Sequence, residues 1–185
     1  MKSNINLCVM PECYLDTNLV ETIVPPERMG STQGYNHKRS CNKVVDEMMG
    51  KLKDNFALGI VDSDKRPLSR VAEFILLTEK QGLKLYKHPQ KHHYLIFHPP
   101  IEQWLLDEAK QVGIALDDAA YKLPTTLKGL IDESKSEFSK KDPRFKNLFR
   151  DLKKQNAIGI NLMANWIEHL KSNPYNADIN ILKNL

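Results

Sequence analysis

The run FALGIV, residues 56–61, is uninterrupted apolar sequence that stops against Asp62-Ser63-Asp64 and the cations Lys65 and Arg66. A short run of this kind, bounded by polar turn residues, reads as a buried strand. Two similar runs stand on either side: INLCVM, residues 5–10, ended by Pro11-Glu12, and HYLIFH, residues 93–98, ended by Pro99-Pro100. Amphipathic patterns separate them. DTNLVETIV places Leu19, Val20 and Ile23 at helical spacing, with Asp16 or Thr17 as N-cap and Pro25-Pro26 as the stop. Ser40 caps a second helix with Val44, Val45, Met48 and Leu52 on one face. PLSRVAEFILLTEKQG reads as a third, with Val71, Phe74 and Ile75 inward and Gly82 at the C-cap. IEQWLLDEAKQVG is a fourth, with Ile101, Trp104, Leu105 and Ala109 on one side. Alternating strands and helices predict an α/β fold, a mostly parallel sheet flanked by helices. LKLYK and HYLIFH add either a hairpin or a strand, a loop and a longer strand.

The chain changes character near residue 122. TTLKGLIDESKSEF, DPRFKNLFRDLKKQ and NLMANWIEHLK read as three helices, the second marked by Asp142 as N-cap and Pro143 at the first helical position. Ile179, Ile181 and Leu182 suit a short docking element at the end. Residues 1–121 are therefore expected to form the α/β domain, and residues 122–185 a helical extension packed on it. The extension carries 12 Lys and Arg against 7 Asp and Glu, and so holds the surplus behind the net charge of +4. That excess fits contact with DNA or RNA, and equally an ordinary solvated face. At 185 residues with 41% hydrophobic and 27% charged side chains, one buried core is expected. No segment approaches the roughly 18–20 apolar residues of a membrane span, and the first residues lack a signal-peptide pattern, so a cytoplasmic location without membrane contact is expected. The three cysteines, Cys8, Cys13 and Cys41, suggest neither a disulfide framework nor a zinc site, and Cys8 reads as core.

In an open α/β sheet, ligands gather at the carboxyl ends of the strands. Strands one and two both end there in acid. Residues i and i+2 of a strand share a face, so Asp62 and Asp64 can present both carboxylates to one ion; as a pair without His or Cys they suit Mg²⁺ or Mn²⁺. Glu12 on the adjacent strand adds a third carboxylate, as ligand or as acid/base. A lone Asp-x-Asp is also a common polar turn and helix cap.

The order of Glu12, Asp16, an amphipathic helix and then Asp62-Ser63-Asp64 resembles the Toprim domain of topoisomerases, primases and small nucleases of the overcoming-lysogenization-defect type. The resemblance spans about residues 5–115. It implies Mg²⁺ held by Asp62 and Asp64, with Glu12 as general acid/base or second-metal ligand, and Asp16 in a structural role. Cys13 stands where the family has glycine, and Pro11 precedes the glutamate, so the turn departs from the family pattern.

Lys65 and Arg66 can meet a phosphate or simply neutralise the acids. Lys38 and Arg39, in the glycine-containing loop of residues 27–40, can do the same, although the loop lacks the order of a P-loop. Tyr35 in that loop can stack on a base or pack down on the domain. His98 ends the third strand at the same edge, within reach of a phosphate. His88, His92 and His93 read as a polar loop rather than a zinc site. Trp104 and Trp166 read as core. Three functions are compatible with these features. The first is metal-dependent, nuclease-like phosphoryl transfer on nucleic acid. The second is a catalytically silent module whose helical tail binds a protein partner. The third is a haloacid-dehalogenase-like phosphatase with Asp62 as nucleophile, weakened because Lys65-Arg66 replaces the expected threonine region.

Overall fold

The computed structural model describes residues 4–27, 34–63 and 69–185. Among these residues five strands form one sheet: β1 (Val9–Pro11), β2 (Ala57–Asp62), β3 (Ile75–Lys80), β4 (Leu83–Lys87) and β5 (His93–His98). Their order is β1-β2-β5-β4-β3. β1, β2 and β5 run parallel, while β4 is antiparallel to both β5 and β3, so the sheet is mixed. Seven α-helices accompany it among the described residues: α1 (Tyr14–Ile23), α2 (Cys41–Met49), α3 (Ile101–Gln111), α4 (Leu127–Ser134), α5 (Pro143–Lys154), α6 (Ile158–Ser172) and α7 (Ile179–Asn184).

Alternation along the central strands divides the core in two. Met10, Ala57, Val61 and Leu95 face α2 through Val44, Val45 and Met48. Val9, Leu58, Ile60, Tyr94 and Ile96 face the opposite way, into a larger cluster with α1, α3, α5 and α6. Gly59 sits on the α2 side. A Cβ there would lie 2.6 Å from both Val44 Cγ1 and Leu95 Cδ2, so only glycine lets the helix approach this closely.

Two sequence expectations fail. Residues 69–82 are not a helix: a 3₁₀ turn over Ser69–Glu73 leads into β3. The spacing of Val71, Phe74 and Ile75 satisfies a helical period, but Gln81 and Gly82 both take positive φ (53° and 75°), as a tight two-residue hairpin turn requires. Pairing with β4 then decides the conformation, and Ile75 and Leu76 end up exposed rather than inward. The first strand is also shorter than INLCVM. Asn4 accepts from the Asn6 amide and starts a 3₁₀ turn over Ile5–Cys8, leaving three residues for β1. Pro11 is tolerated because β1 is an edge strand. Its carbonyl accepts from Lys38 N at 3.0 Å and that of Val9 from Asn36 N at 3.0 Å, so residues 36–38 cover the open edge.

The helical tail follows the sequence closely. Asp142 accepts from Arg144 N as N-cap of α5, and Pro143 is its first residue. Leu182 of α7 is fully buried, and its carbonyl accepts from Trp166 Nε1 at 2.9 Å, so the last segment docks as expected. α6 has no side-chain cap of its own; the Glu108 carboxylate of α3 accepts from Gly159 N at 3.1–3.2 Å and from Trp104 Nε1 at 3.1 Å. Asn18 of α1 donates to the carbonyls of Ser139 (2.8 Å) and Asp142 (3.1 Å). Tyr35 packs down, 5% exposed, and donates to Val24 O at 2.7 Å. All three cysteines are free thiols, and among the described residues no helix is long and apolar enough to cross a membrane.

Gly59→Ala is expected to destabilise the fold by about 1–3 kcal/mol through overpacking between α2 and β5. Urea denaturation checks this: a lower midpoint at unchanged slope is predicted.

Candidate acidic site at the carboxyl edge of the parallel strands

Because β1, β2 and β5 are parallel, their carboxyl ends reach one edge. Asp62 and His98 are register partners at the ends of β2 and β5, and Glu12 follows β1 directly. Glu12 N donates to Ile60 O at 3.0 Å, which extends the ladder by one residue. The Glu12 carboxylate then turns over the end of β2, where Oε2 accepts from the Asp62 amide at 3.2 Å. Glu12 is 1% exposed, whereas Asp62 is half-buried. Ser63 N donates to His98 O at 2.9 Å and fixes the first residue beyond β2.

α1 starts immediately after Glu12, and its N-cap is Cys13 rather than Asp16 or Thr17. Cys13 Sγ accepts from Asp16 N and Asp16 Oδ2 accepts from Cys13 N, both at 3.2 Å, a capping box with sulfur in the usual hydroxyl position. Burial pushes the Cys13 thiol up, reinforced by the Asp16 charge, so it stays protonated and is no thiolate nucleophile at neutral pH.

The capping box leaves Asp16 Oδ1 aimed at His98 Nε2, 3.4 Å away, with both side chains fully buried. At that distance the contact is an ion pair rather than a short hydrogen bond. His98 Nδ1 lies 2.8 Å from Pro99 O and takes the donor role, and Trp104 stacks over the ring at 5.9 Å and 19°. Burial opposes charge on His98, but the carboxylates of Asp16 and Asp62 outweigh it and raise the imidazole to about 9. Burial likewise opposes charge on Asp16, and the His98 cation with the Cys13 contacts holds its carboxyl below the ordinary range.

The other expected residues divide. Asp64, Lys65 and Arg66 lie outside the described residues. Lys38 is mostly buried and pairs with Glu47 of α2 at 3.2 Å, so its charge is used within the fold. Arg39 is exposed, 3.6 Å from Glu137, whose Oε1 also accepts from Tyr14 OH at 2.7 Å. His98 is fully buried against Asp16 rather than presented at the surface. His93 meets Leu52 O at 3.0 Å and His88 Nδ1 accepts from Gln90 N at 3.1 Å, contacts that use the histidines of this loop separately. Among the described residues no three His, Cys, Asp or Glu side chains surround a common point. The Glu12 and Asp62 carboxylates are oxygen donors on neighbouring strand ends, a set that suits a hard divalent cation. Sequence reading missed the Asp16–His98 pair; the Cys13-x-x-Asp16 spacing signals only the capping box that holds Asp16.

Comparison of the chain with protein-family models, with curated proteins and with solved structures finds no match in any of the three.

Folding raises the His98 pKa, so its stabilisation is complete below the ordinary value of 6.5 and is lost as pH rises through about 9. Folding lowers the Asp16 pKa, so its contribution is present above the ordinary 3.8 and is lost as pH falls through the lowered value. The pair's contribution to stability, read as the difference between wild type and a His98 variant, is expected to be level between about pH 4 and 6.5 and to decline toward pH 9. His98→Gln leaves Asp16 buried without its partner, and should lower the plateau by about 3–5 kcal/mol and flatten the alkaline decline. An alkaline limb as steep in the variant as in the wild type would remove the pair from this role.

Proposed function

We propose that the chain is a Toprim-like protein that uses Mg²⁺ or Mn²⁺ for phosphoryl transfer on nucleic-acid phosphodiesters. The observation that carries this reading is the meeting of Glu12 and Asp62 on adjacent parallel strand ends, with the Glu12 carboxylate seated on the Asp62 amide. Asp62, together with Asp64, would hold the ion, and Glu12 would serve as second ligand or acid/base. Such an ion, when bound, neutralises charge on the transferring phosphoryl group and activates water. The chain's own residues supply placement. The Asp62 amide orients the buried Glu12 carboxylate over the end of β2. Asp16 and His98 fix the start of α1 to the end of β5, so the two strand-end acids keep their separation.

A second reading, a silent module that binds a protein partner, is favoured by the same burial: Glu12 at 1% exposure has little direct access to solvent.

Calorimetric titration with Mg²⁺ and Mn²⁺ is expected to show binding heat in the wild type, lost in an Asp62→Asn, Asp64→Asn double variant. Incubation with single- and double-stranded DNA and RNA should show metal-dependent cleavage reduced about 10²- to 10⁴-fold by Glu12→Gln. Absence of heat in the wild type would leave the silent module as the better description.

A further inference from the structure

The acidic edge runs on into a surface that phosphodiester chemistry alone does not use. Tyr14 opens α1 two residues after Glu12, and its ring stacks on His37 with centroids 4.5 Å apart and planes 16° from parallel. Its hydroxyl ties it to Glu137, at the start of a 3₁₀ turn over Glu137–Lys140. The next residue, Phe138, is 85% exposed. Lys140 and Lys141 follow, and with Tyr14, Phe138 and Pro143 they line an open groove of about 410 Å³.

The charges around this groove are unequally engaged. Glu137 is taken up by Arg39 and the Tyr14 hydroxyl, and Asp142 by Arg144 at 2.7 Å. Lys140 and Lys141 have no ion-pair partner among the described residues. Burial lowers the His37 pKa, and the Lys140 and Arg39 charges lower it further. Among the described residues, a phenylalanine this bare, beside two uncommitted lysines, is left open to a partner. An apolar protein surface would answer the ring but not the cations. A single strand of nucleic acid answers both, because unpaired bases offer π-faces and the backbone offers phosphates, whereas duplex bases are already stacked.

We propose that this groove binds single-stranded nucleic acid, with Phe138 as a stacking platform for an unpaired base and Lys140 and Lys141 on the phosphates. Tyr14, two residues after Glu12, lines the same groove, so the bound strand lies beside the first turn of α1. The consequence for catalysis rests on the phosphodiester reading; the binding itself needs no metal ion.

Fluorescence anisotropy of the full chain in EDTA tests it, using labelled oligothymidylate, an abasic strand of equal length and a duplex. Oligothymidylate is expected to bind tightest. Phe138→Ala should weaken that binding about 5- to 100-fold while hardly changing abasic-strand binding, and Phe138→Tyr should restore it. A Lys140→Ala, Lys141→Ala variant should weaken both strands and flatten the salt dependence. Because Phe138 is exposed, its variants should keep the wild-type circular dichroism spectrum. Equal wild-type affinity for oligothymidylate and abasic strand, unchanged binding by Phe138→Ala, or no binding at all would overturn the proposal. Base-dependent binding in EDTA supports the groove even where metal heat and cleavage are absent, so the two readings fail separately.

Discussion

The buried ion pair between Asp16 and His98 is the constraint on which the edge of the sheet depends. Two charges removed from water cost several kcal/mol each unless paired and hydrogen-bonded. Here the attraction across 3.4 Å is supplemented by contacts elsewhere on each group: Asp16 is bound into the capping box with Cys13, and His98 is held by the Pro99 carbonyl and covered by Trp104. The pair joins the first turn of α1 to the end of β5, across the end of β2. Glu12 precedes that helix, and the His98 carbonyl holds Ser63, so the pair sits between the two strand-end acids and adds to the backbone bonds that place them.

The helical tail is part of the same packing. α5 and α6 share a core cluster with the strands, Asn18 anchors the turn before α5, and Glu108 caps α6 from α3. Part of the tail's positive charge is engaged within the fold. Arg144 binds Asp142 and Glu133, and Lys153 reaches the Ile23 carbonyl at 2.5 Å and Glu168 at 3.2 Å. Lys140 and Lys141 are set apart from the rest of the excess by lining one groove with the exposed Phe138 and with Tyr14.

The α/β alternation, the faces of α2 and α3, and the Asp142-Pro143 start of α5 were legible because each depends on local spacing. β3 was not: an apolar period compatible with a helix lost to a hairpin turn at Gln81-Gly82 and to pairing with β4. The approach of Glu12 to Asp62 followed from parallel strands ending in acid. The Asp16–His98 pair did not, because it joins elements far apart in the chain, and neither residue stands in a pattern that names the other. Tyr14, His37 and Phe138 were invisible for the same reason; only the fold brings the turn before α5 to the start of α1.

Paramagnetic broadening by Mn²⁺ tests the acidic edge most directly. In amide NMR spectra of the wild-type chain, substoichiometric Mn²⁺ should broaden the signals of Cys13, Asp62 and Ser63 first, leave Ile158 and its neighbours sharp, and be reversed by excess Mg²⁺. Uniform spectra, or broadening centred on another acidic group such as Glu133 and Asp142, would contradict an ion site at the ends of the parallel strands.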